Sequence, residues 1–163
     1  MADNYIQYSV ILELENDAQR EWVREYLPLI TEHLEDNELS LGRLLSQLEK
    51  EVSPGLLAEF RSVLLVGVPS DVELVDSGLW VHSEDSGDVL LCVLFLAIVM
   101  EKFGIEERLM LSWAETCSKP RINEFCGGLF VINCYGYAEC NPSDQINQCH
   151  MRLDNIERDK KKS

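Results

Sequence analysis

The residues best suited to chemistry lie in one stretch, from Trp113 to Gly128, which combines Trp, Cys, Lys, Arg and Glu with paired glycines. Two cations beside glycine N–H groups are able to hold a phosphate or a carboxylate. The candidate ligand-binding residues are Trp113, Glu115, Cys117, Lys119, Arg121, Glu124, Gly127 and Gly128. The spacing is not that of a phosphate loop. A rigid connection, in which Lys119 and Arg121 pair with nearby carboxylates, is therefore the simpler interpretation.

Cys117 is a candidate nucleophile, because a nearby cation favours the thiolate form of a cysteine. Catalysis would also require a base, and the chain contains only three histidines. His82, on a predicted strand, is the best of them, but no sequence signature joins it to Cys117. We therefore assign no catalytic residue and expect a protein that is not an enzyme.

A zinc site is conceivable from Cys134, Cys140, Cys149 and His150. Structural zinc usually uses a closely spaced cysteine pair, which this chain lacks. The carboxylates Glu84, Asp85 and Asp88 stand at the start of a predicted helix, where acids stabilise the helix dipole. The sequence therefore predicts no metal and no cofactor, and the cysteines are expected to be small buried residues.

The charge of the chain is strongly acidic and unevenly distributed. Its net charge is −15, and residues 1–116 contain 23 acidic and 7 basic residues, whereas residues 117–163 carry +1. Such a field repels nucleic acids and anionic membranes, so neither is expected as a partner, and it suits a basic protein. No signal peptide is visible, and the longest apolar run is too short to span a bilayer. We expect a cytoplasmic protein whose cysteines are thiols.

The pattern of apolar residues predicts an α+β fold, with helices packed on one face of a mainly antiparallel sheet and a ferredoxin-like or related topology. One domain is expected over residues 1–156, followed by a charged flexible tail, 157–163. Pro28 should divide the first helix, and a helical insertion is expected around 35–60. The predicted strands are 5–14, 62–68, 72–75, 79–83, 108–114 and 129–135, and a last helix follows residues 141–144. Trp22, Trp80 and Trp113 are all predicted to lie in the core.

One predicted helix, 88–103, is apolar on nearly all sides. It must be covered on most of its surface, by the sheet and by another helix or by a partner subunit. The sequence therefore leaves open a homo-oligomer formed through helix 88–103.

The opening stretch contains a specific motif, Trp113-Ala114-x-Thr116-Cys117-Ser118-Lys119-Pro120-Arg121 followed by Phe125-x-Gly127-Gly128. In this motif the chain resembles an uncharacterised family of small bacterial and phage-encoded proteins. The resemblance extends upstream through residues 78–84 and the following helix, and Cys126 stands where the relatives favour a third glycine. It implies a bacterial or phage origin and brings no known activity.

The charge and the lack of a catalytic constellation favour an acidic, non-enzymatic protein-binding module, of the inhibitor, immunity-protein or nucleic-acid-mimic type. The alternative is a small-molecule or anion-binding domain, with or without enzymatic activity, centred on residues 113–128.

Overall fold

The computed structural model describes residues 4–31, 38–65, 71–117, 126–140 and 146–162. The elements, in chain order, are β1 Asn4–Glu13, α1 Asp17–Tyr26, α2 Pro28–Thr31, α3 Glu38–Leu48, α4 Pro54–Leu64, β2 Asp71–Val75, β3 Gly78–Ser83, α5 Val89–Phe103, β4 Leu109–Cys117, β5 Cys126–Asn133, β6 Gly136–Cys140 and α6 Ile146–Lys161. Pro28 begins α2 directly after the end of α1, which confirms the division predicted there.

The strands form one sheet in the order β2-β3-β1-β4-β5-β6, and every neighbouring pair is antiparallel. This confirms the α+β class with a mainly antiparallel sheet. The first four strands and their two helical connections follow the β-α-β-β-α-β order of ferredoxin-like folds. The strands β5 and β6 extend that sheet beyond β4.

The centre of the fold is α5, whose ten residues from Leu91 to Met100 are all buried. The Asp88 carboxylate caps its start by accepting hydrogen bonds from the N–H groups of Leu90 and Leu91. Gly104 ends it with φ 64°, a conformation that favours glycine. The sheet and the layer of α1–α4 cover α5 within one chain. The ten central residues of α5 are thus covered within one chain, whereas Val89, Leu90 and Phe103 near its ends are only partly buried. The homo-oligomer through helix 88–103 stays a prediction.

The two faces of the sheet are covered differently. One face, which we call the helical face, carries the buried side chains Tyr8, Leu12, Leu79, Val81 and Leu111, and it packs against α5. The sixth helix, α6, lies on the opposite face, over β5 and β6. The prediction that all helices lie on one face is therefore wrong for α6. The second face needs cover because Phe130, Val131 and Ile132 are all buried, so β5 is apolar on both sides.

The helical insertion is present as α3 and α4, and the strand predicted at 62–68 is wrong at its start. α4 continues to Leu64, because Leu57, Phe60 and Leu64 recur at helical spacing and are buried together; residues 66–70 lie outside the described part of the chain. β6 was also missed. The predicted strand 129–135 ends earlier, at Asn133, and a tight turn leads into Gly136, whose φ is 139°.

Two further expectations are corrected at α6. Cys140 on β6 and Cys149 on α6 form a disulfide, with Cα atoms 5.8 Å apart, so this pair is not two thiols. Residues 157–161, expected in a flexible tail, continue the helix. They are held there because Glu157 accepts a hydrogen bond from the buried Asn133 side chain and Lys161 lies 4.7 Å from the Tyr135 ring centroid. Among the described residues, no helix combines the length and apolarity needed to span a bilayer.

The disulfide should contribute measurably to stability. Cross-linking residues nine positions apart restricts the unfolded chain and is worth about 2–3 kcal/mol. We expect Cys149→Ser to lower the free energy of unfolding by about that amount, measured by urea denaturation monitored by circular dichroism. Cys134→Ser, at an unpaired half-buried cysteine, is the control. Equal urea midpoints for the wild type with and without reductant would contradict the cross-link.

Candidate functional site

The structure describes five of the eight residues in the predicted 113–128 site. Trp113, Glu115 and Cys117 lie on β4, on the helical face that they share with Leu111. Gly127 and Gly128 lie on β5, opposite Ala114 and Trp113. Lys119, Arg121 and Glu124 lie outside the described residues. The proposed convergence of two cations on a ligand therefore stays a prediction.

The two glycines have a structural reason to be glycine. A Cβ atom on Gly127 would lie 2.6 Å from the Trp113 carbonyl oxygen, and one on Gly128 would lie 2.7 Å from Trp113 Nε1. The Trp113 indole thus lies directly against the β5 backbone, where only a hydrogen atom fits. The indole accounts for Gly128 and the Trp113 carbonyl oxygen accounts for Gly127, in both cases without a ligand.

Cys117 and His82 do not meet. His82 lies on β3 opposite Ser9, and so points to the face away from α5. Cys117 shares the helical face with Leu111. The sheet itself therefore separates the two side chains, and they cannot form a nucleophile and base pair.

The four residues considered for zinc are also used otherwise. Cys140 and Cys149 are bonded to each other, and the ring of His150 lies 2.7 Å from Arg108 Nη1. Burial and the neighbouring Glu106 carboxylate raise the pKa of the Cys134 thiol, which disfavours a metal-binding thiolate. Within the described ranges, no three His, Cys, Asp or Glu side chains are placed to hold a metal ion.

A different surface stands out, on the side of β1–β4 opposite α5. We call it the open face, because α6 covers the neighbouring β5 and β6, whereas in the described part of the chain most side chains on this side of the four strands are exposed and Trp80 and His82 are half-buried. Ile11 is 42% exposed and Met110 is 53% exposed. The open face is formed by Ser9, Ile11, Glu13, Asp71, Glu73, Trp80, His82, Met110 and Ser112. The position of Trp80 corrects its assignment to the core.

An aromatic pair forms the middle of the open face. The Trp80 and His82 rings are stacked, with centroids 3.9 Å apart, and Trp80 Nε1 donates a hydrogen bond to Ser9 Oγ at 2.9 Å. Glu73 on β2 lies directly opposite Trp80, and its carboxylate is 3.7 Å from His82 Nε2. The Trp80 ring is thus held from β1, whereas the Glu73 carboxylate lies near His82 Nε2 without a hydrogen bond to it.

The charge of the open face has one sign. The strands β1–β4 contain no Lys or Arg, whereas Glu13, Asp71 and Glu73 all lie exposed on this face. Arg108, just before β4, is engaged by the Asp154 carboxylate of α6 and lies 3.6 Å from Glu157. The result is an apolar and aromatic centre bordered by carboxylates.

A cleft of about 240 Å³ opens beside this centre, between the end of β1 and the start of β4. β1 and β4 are paired from Asn4 with Cys117 to Tyr8 with Trp113. Towards Glu13 on β1 and Leu109 on β4 the two strands are no longer paired, and the cleft lies between them. Its apolar walls are Ile11, Leu12, Met100, Ile105 and Leu109. Glu13 and Glu107 add carboxylates, and Arg108, which Asp154 engages, adds a cation. It can admit one apolar side chain from outside.

A larger recess of about 560 Å³ lies at the other edge of the sheet, between α4, the β5–β6 turn and α6. Most of its polar groups are already paired. Tyr137 donates a hydrogen bond to Glu59, which with burial raises the pKa of that phenol, and Ser53 Oγ donates to Glu101 at 3.0 Å. These bonds join α4 to β6 and to α5. The recess is therefore better explained as a boundary between packed elements than as a binding site.

The open face cannot be predicted from any single strand, because it is formed by four strands together. The signal was present in the alternation of β3, where Leu79 and Val81 are buried and Trp80 and His82 lie on the other side. Recognising the open face also requires knowing that α6 lies over β5 and β6, away from β1–β4. Comparison of the chain with models of known protein families, with curated proteins and with solved structures found no match.

The packing role of the 113–128 glycines can be tested directly. Gly127→Ala places a Cβ against the Trp113 backbone, so we expect the free energy of unfolding to fall by about 1–3 kcal/mol. Gly42→Ala is the control, since Gly42 lies within α3 with nothing near its Cβ position, and it should stabilise by up to about 1 kcal/mol. Urea denaturation gives both values. An unchanged midpoint for Gly127→Ala would argue against this close contact.

Proposed function

We propose that this protein is a non-enzymatic protein-binding module that docks a basic protein partner on its open face. The observation that carries the proposal is the combination of exposed Ile11 and Met110 and half-buried Trp80 with a border of carboxylates and no Lys or Arg on the same strands.

The arrangement has the anatomy of a protein interface. Interfaces commonly place apolar and aromatic side chains at the centre and polar groups at the rim, and tryptophan is over-represented among the residues that dominate binding energy. Trp80 is fixed by its hydrogen bond to Ser9 and its stack on His82, so little side-chain freedom would be lost on docking.

The net charge supports the same partner. A chain of −15 attracts a basic protein over a distance comparable to the Debye length, and accelerates association more than it strengthens the final complex. An inhibitor, an immunity protein or a nucleic-acid mimic would use such a face to cover a basic functional site. A bacterial or phage origin belongs to this proposal. A cytoplasmic location does too, although a reducing compartment disfavours a bond such as the Cys140–Cys149 disulfide.

The proposal is tested by selecting a random-peptide display library on the wild-type protein at low salt. We expect enrichment of peptides rich in Lys and Arg that also carry apolar residues. The double variant Glu13→Lys with Glu73→Lys should lose these peptides, because it replaces two carboxylates on the rim with cations.

The control for this selection keeps the same net charge. Glu25→Lys with Glu139→Lys changes two exposed acids away from the open face, on α1 and β6. We expect it to retain the selected peptides. Equal retention or equal loss by the two double variants would mean that bulk charge alone attracts the peptides, and the proposal would fail.

The second candidate is the small-molecule or anion-binding domain centred on residues 113–128. One observation favours it: among the described residues, the buried Trp113 Nε1 has no hydrogen-bond acceptor. A buried donor without an acceptor is costly, so a bound anion would relieve it.

This alternative is tested with inorganic phosphate as the probe. We expect phosphate to raise the melting temperature of the wild type, and Lys119→Ala with Arg121→Ala to abolish that rise. The same rise in the double variant would remove the case for an anion site.

A further inference from the structure

The open face has the dimensions of a single helix. Neighbouring strands lie about 4.8 Å apart, so the four strands β2, β3, β1 and β4 span about 14 Å from the first to the last. An α-helix with its side chains is about 10–12 Å across. The 16-residue α6 already packs on the adjoining half of this side of the sheet, over β5 and β6. The fold therefore contains one example of a helix on this side of the sheet, with room beside it for a second.

A sheet face also favours a helix over an extended segment. On a face, the strand N–H and C=O groups are used in the ladder, and only side chains are offered to a partner. An extended peptide gains its main-chain hydrogen bonds by pairing with a sheet edge. A helix satisfies its own main chain and so can lie on side chains alone.

The side chains of the open face indicate which residues such a helix would present to them. The cleft between β1 and β4, walled by Ile11, Ile105 and Leu109, fits an apolar side chain. Glu73 lies opposite Trp80, so an Arg or Lys there would meet both a carboxylate and an aromatic ring. Glu13 and Glu107 offer carboxylates at the cleft.

From these features we infer that the open face binds an amphipathic basic helix, which lies beside α6 and inserts one apolar side chain into the cleft between β1 and β4. Lys or Arg residues flank its apolar stripe and face Glu73 on one side and Glu13 and Glu107 on the other. This inference rests on the proposed function and names the form that the basic partner presents.

Three dye-labelled synthetic peptides of identical Leu and Lys content test the inference. The first has Leu at helical spacing, the second alternates Leu and Lys as a strand does, and the third is the first with a central proline that breaks the helix. Fluorescence anisotropy gives each Kd at low salt. We expect the helical peptide to bind at least about tenfold more tightly than the other two.

Variants of the protein locate the binding. Ile11→Thr, which keeps a strand-forming residue, should weaken the helical peptide by about tenfold, since Ile11 borders the cleft. Met151→Gln is the matched control, because Met151 is 65% exposed on α6, and its Kd should change by less than about twofold. Glu13→Lys with Glu73→Lys should weaken binding, and Glu25→Lys with Glu139→Lys should retain it. Circular dichroism confirms that each variant is folded, and Glu73→Gln replaces any that is not.

The outcomes separate this inference from the proposed function. If the alternating peptide binds as tightly as the helical one and both depend on Glu13 and Glu73, the partner is not a helix, but docking on the open face stands. If the helical peptide is indifferent to both Ile11→Thr and the charge reversal, the inference and the open-face docking are both overturned.

Discussion

The burial of α5 is the constraint on which the rest of the structure depends. Ten consecutive residues from Leu91 to Met100 leave no polar side, so every direction around this helix must be filled. The sheet fills one side, where the Tyr8 hydroxyl lies 3.3 Å from the Cys92 sulfur. The layer of α1–α4 fills the other, with Phe60 and Phe95 at 6.4 Å between ring centroids. One apolar segment thus uses the whole helical layer and one entire face of the sheet.

The second face of the sheet does not pack against α5. Its side chains differ between the part over β5 and β6 and the part over β1–β4. Over β5 and β6 it is apolar and closed by α6, through a small cluster that contains Val131, the Cys140–Cys149 disulfide and Leu153. Over β1–β4 it carries hydroxyls, carboxylates and a few exposed apolar groups. The boundary runs along Arg108, which α6 holds through Asp154. Because that cation is engaged there, the open half keeps its negative character.

Local sequence patterns predicted those elements whose signals, such as a proline or an apolar run, lie within one short segment of the chain. The apolar run of the predicted helix 88–103 defined α5, and Pro28 separated α1 from α2. Long-range features could not be predicted in this way. The Cys140–Cys149 pair, the position of α6 on the far face and the separation of Cys117 from His82 all depend on which strands become neighbours. The strand predicted at 62–68 failed because Val63, Leu64 and Leu65 suit a buried strand or a buried helix equally well.

The same distinction explains why the most distinctive sequence motif and the most distinctive surface do not coincide. Trp113, Gly127 and Gly128 attract attention because such residues are rare in this chain. The two glycines are nevertheless explained by the close approach of Trp113, through its indole at Gly128 and its carbonyl oxygen at Gly127. The residues of the open face are individually ordinary. Ile11, Glu73 and Trp80 become informative only when the register places them side by side and α6 stops short of them. An apolar side chain on a strand costs solubility unless something covers it, and the surrounding carboxylates oppose a second copy of this acidic chain in that role. The partner of opposite charge proposed above would satisfy both the apolar centre and its acidic border.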